Sequence, residues 1–308
     1  MSNSINLITE FTPILDEKFK KESCTSILEG TLGVDFQATQ NPKTVKIAKL
    51  TTSGMGDYSR ENGYPDGDIA LTWEEHTFSN DRGRRFKIDT QDLEESLLQS
   101  YAKVAAHVEK YEVAPEVDAY RFAKIASTTG VGGTTGALTT SANVKSAIDT
   151  AIATLGENEV DEGNMVFFMT PTIRMYLENA LTRQLESGVG AYDQRVYYYN
   201  GIPIVSVPQT RFYSAVDLLD GTTSGEKQGG YRKHVLNSSV SGDAAGVNLN
   251  FILLAKDAVS GIVKHEVKNV IEPRYNNTSD GYLVFFRYYH DLFVKENKTE
   301  AIYVHRAS

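Results

Sequence analysis

The sequence has 308 residues, with 31 Lys and Arg against 40 Asp and Glu, a formal net charge of −9 and a pI of about 5.3. Hydrophobic residues make up 41% and charged ones 23%, so the chain can bury a core and is no disordered polymer; its length suits one large domain or two ordinary ones. The acidic balance disfavours global attraction to nucleic acid, the lone Cys24 excludes an intramolecular disulfide and a Cys-cluster metal site, and no apolar run approaches the roughly 18 residues of a membrane span.

Residues 1–5 carry neither a basic n-region nor an apolar h-region, which predicts a soluble chain without a signal peptide, made in a reducing cytoplasm. Across 1–41, Ile5, Leu7, Ile8, Phe11, Ile14, Leu15 and Phe19 suffice for one or two helical turns and not for a core. The segment reads as an arm that gains order by lying on something else, with a flexible tail as the competing reading. Residues 44–50 and 69–78 then alternate as strands. Val45, Ile47 and Lys49 share one side of the first, and Ile69, Leu71 and Trp73 share one face of the second. The Gly, Pro, Asn and Asp between Ser53 and Asp68 make turns, so the pair reads as a long antiparallel hairpin whose tip far exceeds the usual loop of about two to five residues. A two-stranded ribbon is marginal alone and needs support from outside itself.

Leu93, Leu97, Tyr101, Val104, Val108 and Tyr111 recur at spacings of three and four, predicting an amphipathic helix over 90–111, with Asp89 or Thr90 as cap and Asp92, Glu94 and Glu95 in its first turn. A second helix is expected from near Pro115 to about Ser127, then a glycine-rich hinge or turn over 129–136. From Ser141 helices and strands alternate. Val144, Ile148, Ala151, Ile152 and Leu155 mark a helix, 165–170 a buried strand, and Thr170 with Pro171 opens a helix through Leu185. Further strands are expected at 202–207, 249–255, 262–271, 282–294 and 301–305, with a Gly- and Ser-rich loop over 220–246.

Catalytic patterns are missing from this order. After Gly136 no Lys-Ser or Lys-Thr follows, Thr135 occupies the third glycine place of a dinucleotide loop, and the stretch follows a helix where both phosphate motifs follow a strand. His76, His107, His234, His265, His290 and His305 show no paired ligand spacing, and no G-x-S-x-G elbow is present. Cys24 sits in the arm near Lys20 and Lys21 without a shaped pocket, which favours packing over nucleophilic chemistry. Glu74 and Glu75, like Glu94 and Glu95, are adjacent and point apart. No catalytic residue, cofactor or metal is expected, and a structural role moves ahead. The one basic concentration is Arg82, Arg84, Arg85 and Lys87. Three readings stay open for it: contact with nucleic acid, a solvated charge run, or pairing with a neighbouring copy's hairpin tip, where Asp57, Glu61, Asp66 and Asp68 flank Arg60.

The order of arm, long hairpin, long amphipathic helix, compact α/β section and closing long strands resembles the major capsid proteins of tailed bacteriophages, with the Hong Kong 97-type capsid fold. Val45 to Leu50 (VKIAKL), Gly63 to Asp68 (GYPDGD), Thr72 to Glu75 (TWEE) and Asp81 to Asp89 (DRGRRFKID) resemble the hairpin region of head proteins from phages and prophages of Gram-positive bacteria. Glu116 to Ala126 (EVDAYRFAKIA) resembles the helix that follows the spine helix in the same group. The resemblance implies an α+β fold with an N-terminal arm at 1–41, an extended hairpin loop at 42–89, a peripheral domain with the spine helix from 90–135, an axial domain at 136–250, and a return to the peripheral domain at 251–308. It implies a structural subunit that self-assembles, as hexamers and pentamers, into an icosahedral head around non-specifically held double-stranded DNA, with no enzyme activity and no membrane. Assembly would take place in the bacterial host cytoplasm, with portal and decoration proteins as further partners.

Two departures from that family shape the expectation. Some members cross-link neighbours through a Lys in the hairpin, whereas residues 54–68 carry none, which argues against covalent chainmail. Other members begin with a long helical scaffolding segment; here residues 1–41 alone precede the hairpin, which implies a separate scaffolding protein. An encapsulin-like compartment shell with protein cargo is the nearest alternative, and a cytoplasmic α/β enzyme the more distant one.

Overall fold

The computed structural model describes residues 23–29, 36–38, 44–61, 63–90, 107–181, 197–237, 244–277 and 279–308. Most of the expected arm lies outside them, as do Leu93, Leu97, Tyr101 and Val104 of the expected long helix. The described strands are Phe36–Ala38 (β1), Thr44–Thr52 (β2), Ile69–Thr77 (β3), Asn80–Asp89 (β4), Gly132–Thr135 (β5), Met165–Met169 (β6), Tyr198–Tyr199 (β7), Ile202–Ser206 (β8), Val216–Leu218 (β9), Tyr231–Lys233 (β10), Leu249–Ala255 (β11), Val259–Ile271 (β12), Gly281–Val294 (β13) and Ile302–Arg306 (β14). The described α-helices are Ala114–Ser127 (α1), Ser141–Glu157 (α2) and Pro171–Ala180 (α3).

The main core lies on a six-stranded mixed sheet in the order β5-β14-β11-β6-β8-β7. Every residue of β6 is buried, as its unbroken apolar run requires of a strand covered on both faces. Val144, Ile148, Ala151 and Leu155 of α2 recur at spacings of three and four and are all buried. The Thr140 side chain caps α2 by accepting from the Asn143 N–H, and the Thr170 side chain caps α3 by accepting from the Ile173 N–H. Phe122 of α1 meets Phe168 and Phe212 edge-on, with ring centroids 5.2 and 4.9 Å away, which ties α1 into this core.

The boundaries expected at 135/136 and 250/251 cut across this one sheet, since β5 and β14 lie in it beside β11 and β6. The glycine-rich stretch expected as a hinge or turn is in part a strand: β5 pairs parallel with β14. A Cβ at Gly133 would stand 2.0 Å from the Val304 carbonyl oxygen, so the close backbone approach needs glycine there. The loop expected over 220–246 contains β10, which pairs antiparallel with β9.

A second sheet, β12-β13-β4, is built of long antiparallel strands. α1 lies on one face of it, with Ala114 and Val117 packed on Tyr288. The two helices expected on either side of 111–115 are continuous where described, because a π turn at Glu109–Val113 leads directly into α1. In an α-helix the ring of Pro115 would collide with the carbonyl of residue 111; the wider turn, in which the Ala114 N–H bonds to the Glu109 carbonyl, makes room for it. The extra residue also shifts the phase by about 100°, so Val108 stays buried while Tyr111, expected on the same stripe, is exposed.

Residues 23–29 are held against α1 by a buried polar network. The Asp118 carboxylate accepts from the Ser23 hydroxyl at 2.8 Å, the Thr25 hydroxyl at 2.7 Å and the Cys24 N–H at 2.9 Å, and Arg211 approaches it at 3.2 Å. Arg121, fully buried, donates to Thr25 Oγ1 at 2.9 Å and to Glu29 Oε1 at 2.8 Å. Leu28 completes the anchor in the main core. Burial, followed by the neighbouring Asp118 charge, pushes the Cys24 thiol up to about 12, which removes it as a nucleophile at neutral pH.

Candidate assembly surface

The expected hairpin forms: β2 pairs with β3 in one register from Thr44↔Thr77 to Thr52↔Ile69. Its root is seated on the long sheet. Val45 and Ile47 pack with Phe78 and Phe293, His76 stacks on Phe293 at 4.8 Å, and Lys49 reaches Glu296 at 3.1 Å. Strand alternation puts Val45 and Ile47 opposite His76 and Glu74 on that seated face. Trp73, Leu71 and Ile69 therefore fall on the other face, opposite Ala48, Leu50 and Thr52.

That second face is an apolar ribbon in water. Leu50 is 61% exposed, Ile69 77%, Leu71 58% and Trp73 42%. From Leu50 to Trp73 every described residue is exposed except Ser59 and Gly63, which are half-buried, so the outer hairpin stands clear of its own chain. Contiguous apolar surface of this kind marks a contact site.

The tip is shaped rather than slack. The backbones of Ser59 and Gly63 bond reciprocally at 3.1 and 2.8 Å, and Gly63 adopts the left-handed φ of +80° that this turn requires. The rings of Tyr58 and Tyr64 lie 4.8 Å apart, both exposed. Asp57, Arg60, Glu61, Asp66 and Asp68 are all exposed, and among the described residues none of the five forms an ion pair.

Strand alternation divides the basic run. Arg82 and Arg84 point to the α1 side of β4. Arg82 makes a two-point contact with Glu116 at 2.6 and 3.2 Å and donates to the Leu219 carbonyl at 2.8 Å. Arg84 donates to the carbonyls of Lys227, at 2.9 Å, and Gln228, and a Cβ at Gly229 would lie 2.6 Å from its Nη1. These two cations clasp the 219–230 loop within the chain. Arg85 and Lys87 point to the opposite face, are exposed, and form no ion pair among the described residues.

On that opposite face lies a feature that sequence reasoning missed. Val267 and Ile271 of β12, Phe285 of β13 and Gly83 of β4 floor a trough of about 590 Å³. Arg85 and Arg287 form its walls, and Asp81 holds Arg287 at 2.6 and 2.9 Å. The aromatic residues on both faces of β13 are the only sequence signal for it. Among the described residues no three of His, Cys, Asp and Glu stand together as metal ligands, and no helix is long and apolar enough to cross a membrane.

A hairpin rooted on a long three-stranded sheet, a helix across that sheet's other face and a six-stranded α/β layer together define the α+β fold of phage capsid shell subunits, as the sequence resemblance implied. Among solved structures, the capsid of the cyanophage P-SCSP1u matches with a TM-score of 0.62 at 14% identity, over 88% of this chain and 85% of that chain. The mature capsid of bacteriophage PhiM1 matches with a TM-score of 0.59 at 12% identity, over 91% and 90%. The virus-like particle from Pyrococcus furiosus matches with a TM-score of 0.50 at 13% identity, over 94% and 95%. No protein-family model matches the sequence, and no curated protein matches it.

Proposed function

We propose that the chain is the major shell subunit of a tailed-phage head, with a structural and not a catalytic role. Many copies, as hexamers and pentamers, close an icosahedral shell around double-stranded DNA in the host cytoplasm. The observation that carries this reading is the exposed apolar ribbon of Leu50, Ile69, Leu71 and Trp73 on a hairpin that stands clear of its own chain. A monomer gains nothing from keeping that face in water, whereas a second copy laid on it buries the apolar area and supports the hairpin. The phage-capsid fold supports the same reading. A separate scaffolding protein, a portal and decoration proteins are the further partners of such a subunit.

The Pyrococcus furiosus likeness favours a second reading, a compartment shell that encloses protein. Negative-stain electron microscopy of the expressed chain, with nuclease-protected nucleic acid measured in particles from infected cells, separates the two. Closed particles that protect DNA are expected. Closed particles filled with protein favour the compartment, and a chain that stays monomeric at every concentration overturns both.

A further inference from the structure

We infer that one water molecule is bound between α1 and the long sheet, held by Arg121 Nε and Nη2 and by His290 Nδ1. The site belongs to the single subunit and is independent of the shell reading.

Arg121 is fully buried. Its Nη1 donates to Thr25 Oγ1 at 2.9 Å and to Glu29 Oε1 at 2.8 Å, whereas Nε and Nη2, both buried, meet no acceptor among the described residues. His290, 1% exposed, likewise has a buried Nδ1 with no partner among them. Buried polar groups are nearly always paired, and a cationic N–H left unpaired is the costliest exception.

The sheet register brings these atoms towards each other. A Cβ at Gly261 would stand 3.2 Å from Arg121 Cζ, 3.3 Å from Nη2 and 3.4 Å from Nε, so the guanidinium lies flat over that glycine with its N–H bonds running along the sheet. Glu29 pairs with Gly261 on the edge of β12 away from β13. Nη1 points to that outer edge. In a planar guanidinium the Nε and Nη2 fork opens opposite Nη1, and therefore over β13. There Gly261 stands across from Leu292 and Val263 across from His290, which makes His290 the diagonal neighbour of Gly261. Diagonal neighbours are about 7–8 Å apart, too far for a direct bond and of the order that one bridging molecule covers.

The chemistry of the three atoms selects water. Burial, then the cations Arg121 and Arg82, hold the His290 imidazole neutral at pH 7, so one ring nitrogen accepts a hydrogen bond. The ligand must accept from two N–H groups and donate to this nitrogen, and three bonds are what a buried water typically makes. An anion has no hydrogen to give a neutral ring nitrogen, and the Arg121 charge is already matched by Glu29 at 2.8 Å. The rings of Tyr120 and Tyr288, 5.7 and 5.0 Å from that of His290, flank the place. The water ties the anchor of residues 23–29, through Arg121, to β13, and makes His290 a positioning residue for the guanidinium.

The test is a density map of the unmodified full chain at a resolution that shows ordered water. One peak of water strength within hydrogen-bond distance of Arg121 Nε, Arg121 Nη2 and His290 Nδ1 is expected. A chloride-strength peak, a direct bond from the fork to a protein acceptor, or no peak overturns the inference. Nitrogen-15 spectra of histidine-labelled protein at pH 7, with the His290 signal assigned by its loss in a variant, are expected to show Nδ1 unprotonated; a protonated Nδ1 overturns it as well. Hydrogen exchange gives the consequence. The amides of Cys24 and Thr25, which donate to Asp118, are expected to exchange about tenfold faster in His290→Leu. His290→Asn, whose amide oxygen can take the place of Nδ1, is expected to restore much of that protection, and equal exchange in the two variants overturns the bridge.

Discussion

His290 lies on β13 between the rings of Tyr120 and Tyr288, at 5.7 and 5.0 Å. Burial first, then the cations Arg121 and Arg82, push its imidazole down to about 3 from an ordinary 6.5. The folded state therefore holds it neutral, and the unfolded chain binds a proton more readily between those values. The stability it contributes is complete above about pH 6.5 and is lost as the pH falls towards 3. His290→Phe keeps a ring in place and removes the titration, so its melting temperature is expected to fall less steeply between pH 7 and 4. His305, also lowered by burial, preserves part of the slope; an unchanged slope would assign the acid sensitivity elsewhere. Asp118 is the other residue on which much depends. Asp118→Ala leaves the buried donors of Ser23, Cys24 and Thr25 without their acceptor, and is expected to cost about 3–5 kcal/mol in denaturant unfolding.

The hairpin has two faces with opposite roles, and substitutions should separate them. Ile47, 5% exposed, supports the seated root, so Ile47→Ala is expected to destabilise the subunit by about 2–5 kcal/mol. Leu71→Ser and Trp73→Ser lie on the exposed ribbon; each is expected to move subunit stability by less than about 0.5 kcal/mol, yet to reduce particle yield sharply. Equal effects of root and ribbon substitutions on melting would show that the ribbon packs within its own chain. The tip offers a kinetic check. Proteases are expected to nick residues 54–68 quickly in free subunits and slowly in shells, because contact with a neighbour covers an exposed loop. Replacing the tip by a short Asn-Gly turn is expected to leave helix content intact and to stop or misdirect assembly.

For the whole molecule the balance of forces sets the salt response. If a neighbouring copy's acidic tip pairs with Arg85 or Lys87, assembly is expected to weaken as salt rises, since exposed charges are screened over about 8 Å at physiological ionic strength, while an assembly contact made by the apolar ribbon would persist. Light scattering during assembly should therefore show a yield that falls with salt to a plateau above zero. A salt-independent yield would leave the charges as a solvated face. Since residues 54–68 contain no Lys, boiling shells in detergent is expected to return a single band of monomer size; a ladder would reveal a covalent link outside the tip.

Much of this architecture was readable from local pattern. The two-residue alternation of 44–50 and 69–78, the apolar run at 165–169 and the capped periodicity of 141–157 each state their element without reference to anything distant, because strand and helix periods and Thr140 or Thr170 as caps act over a few residues. The existence of a hairpin too long for its own support, and of an acidic tip, belongs to the same level. The rest depended on partners far along the chain. Gly133 became strand because β14, some 170 residues later, offers it an edge. The π turn at Glu109–Val113 merged two expected helices because the packing of α1 on the long sheet outweighs the proline signal. The basic run read as one patch, but alternation on β4 turned Arg82 and Arg84 towards Glu116 and the 219–230 loop and left Arg85 and Lys87 beside an apolar trough. Side-chain direction follows from local backbone geometry, whereas what a side chain meets is settled by which strands lie alongside, and that is decided only when distant segments pair.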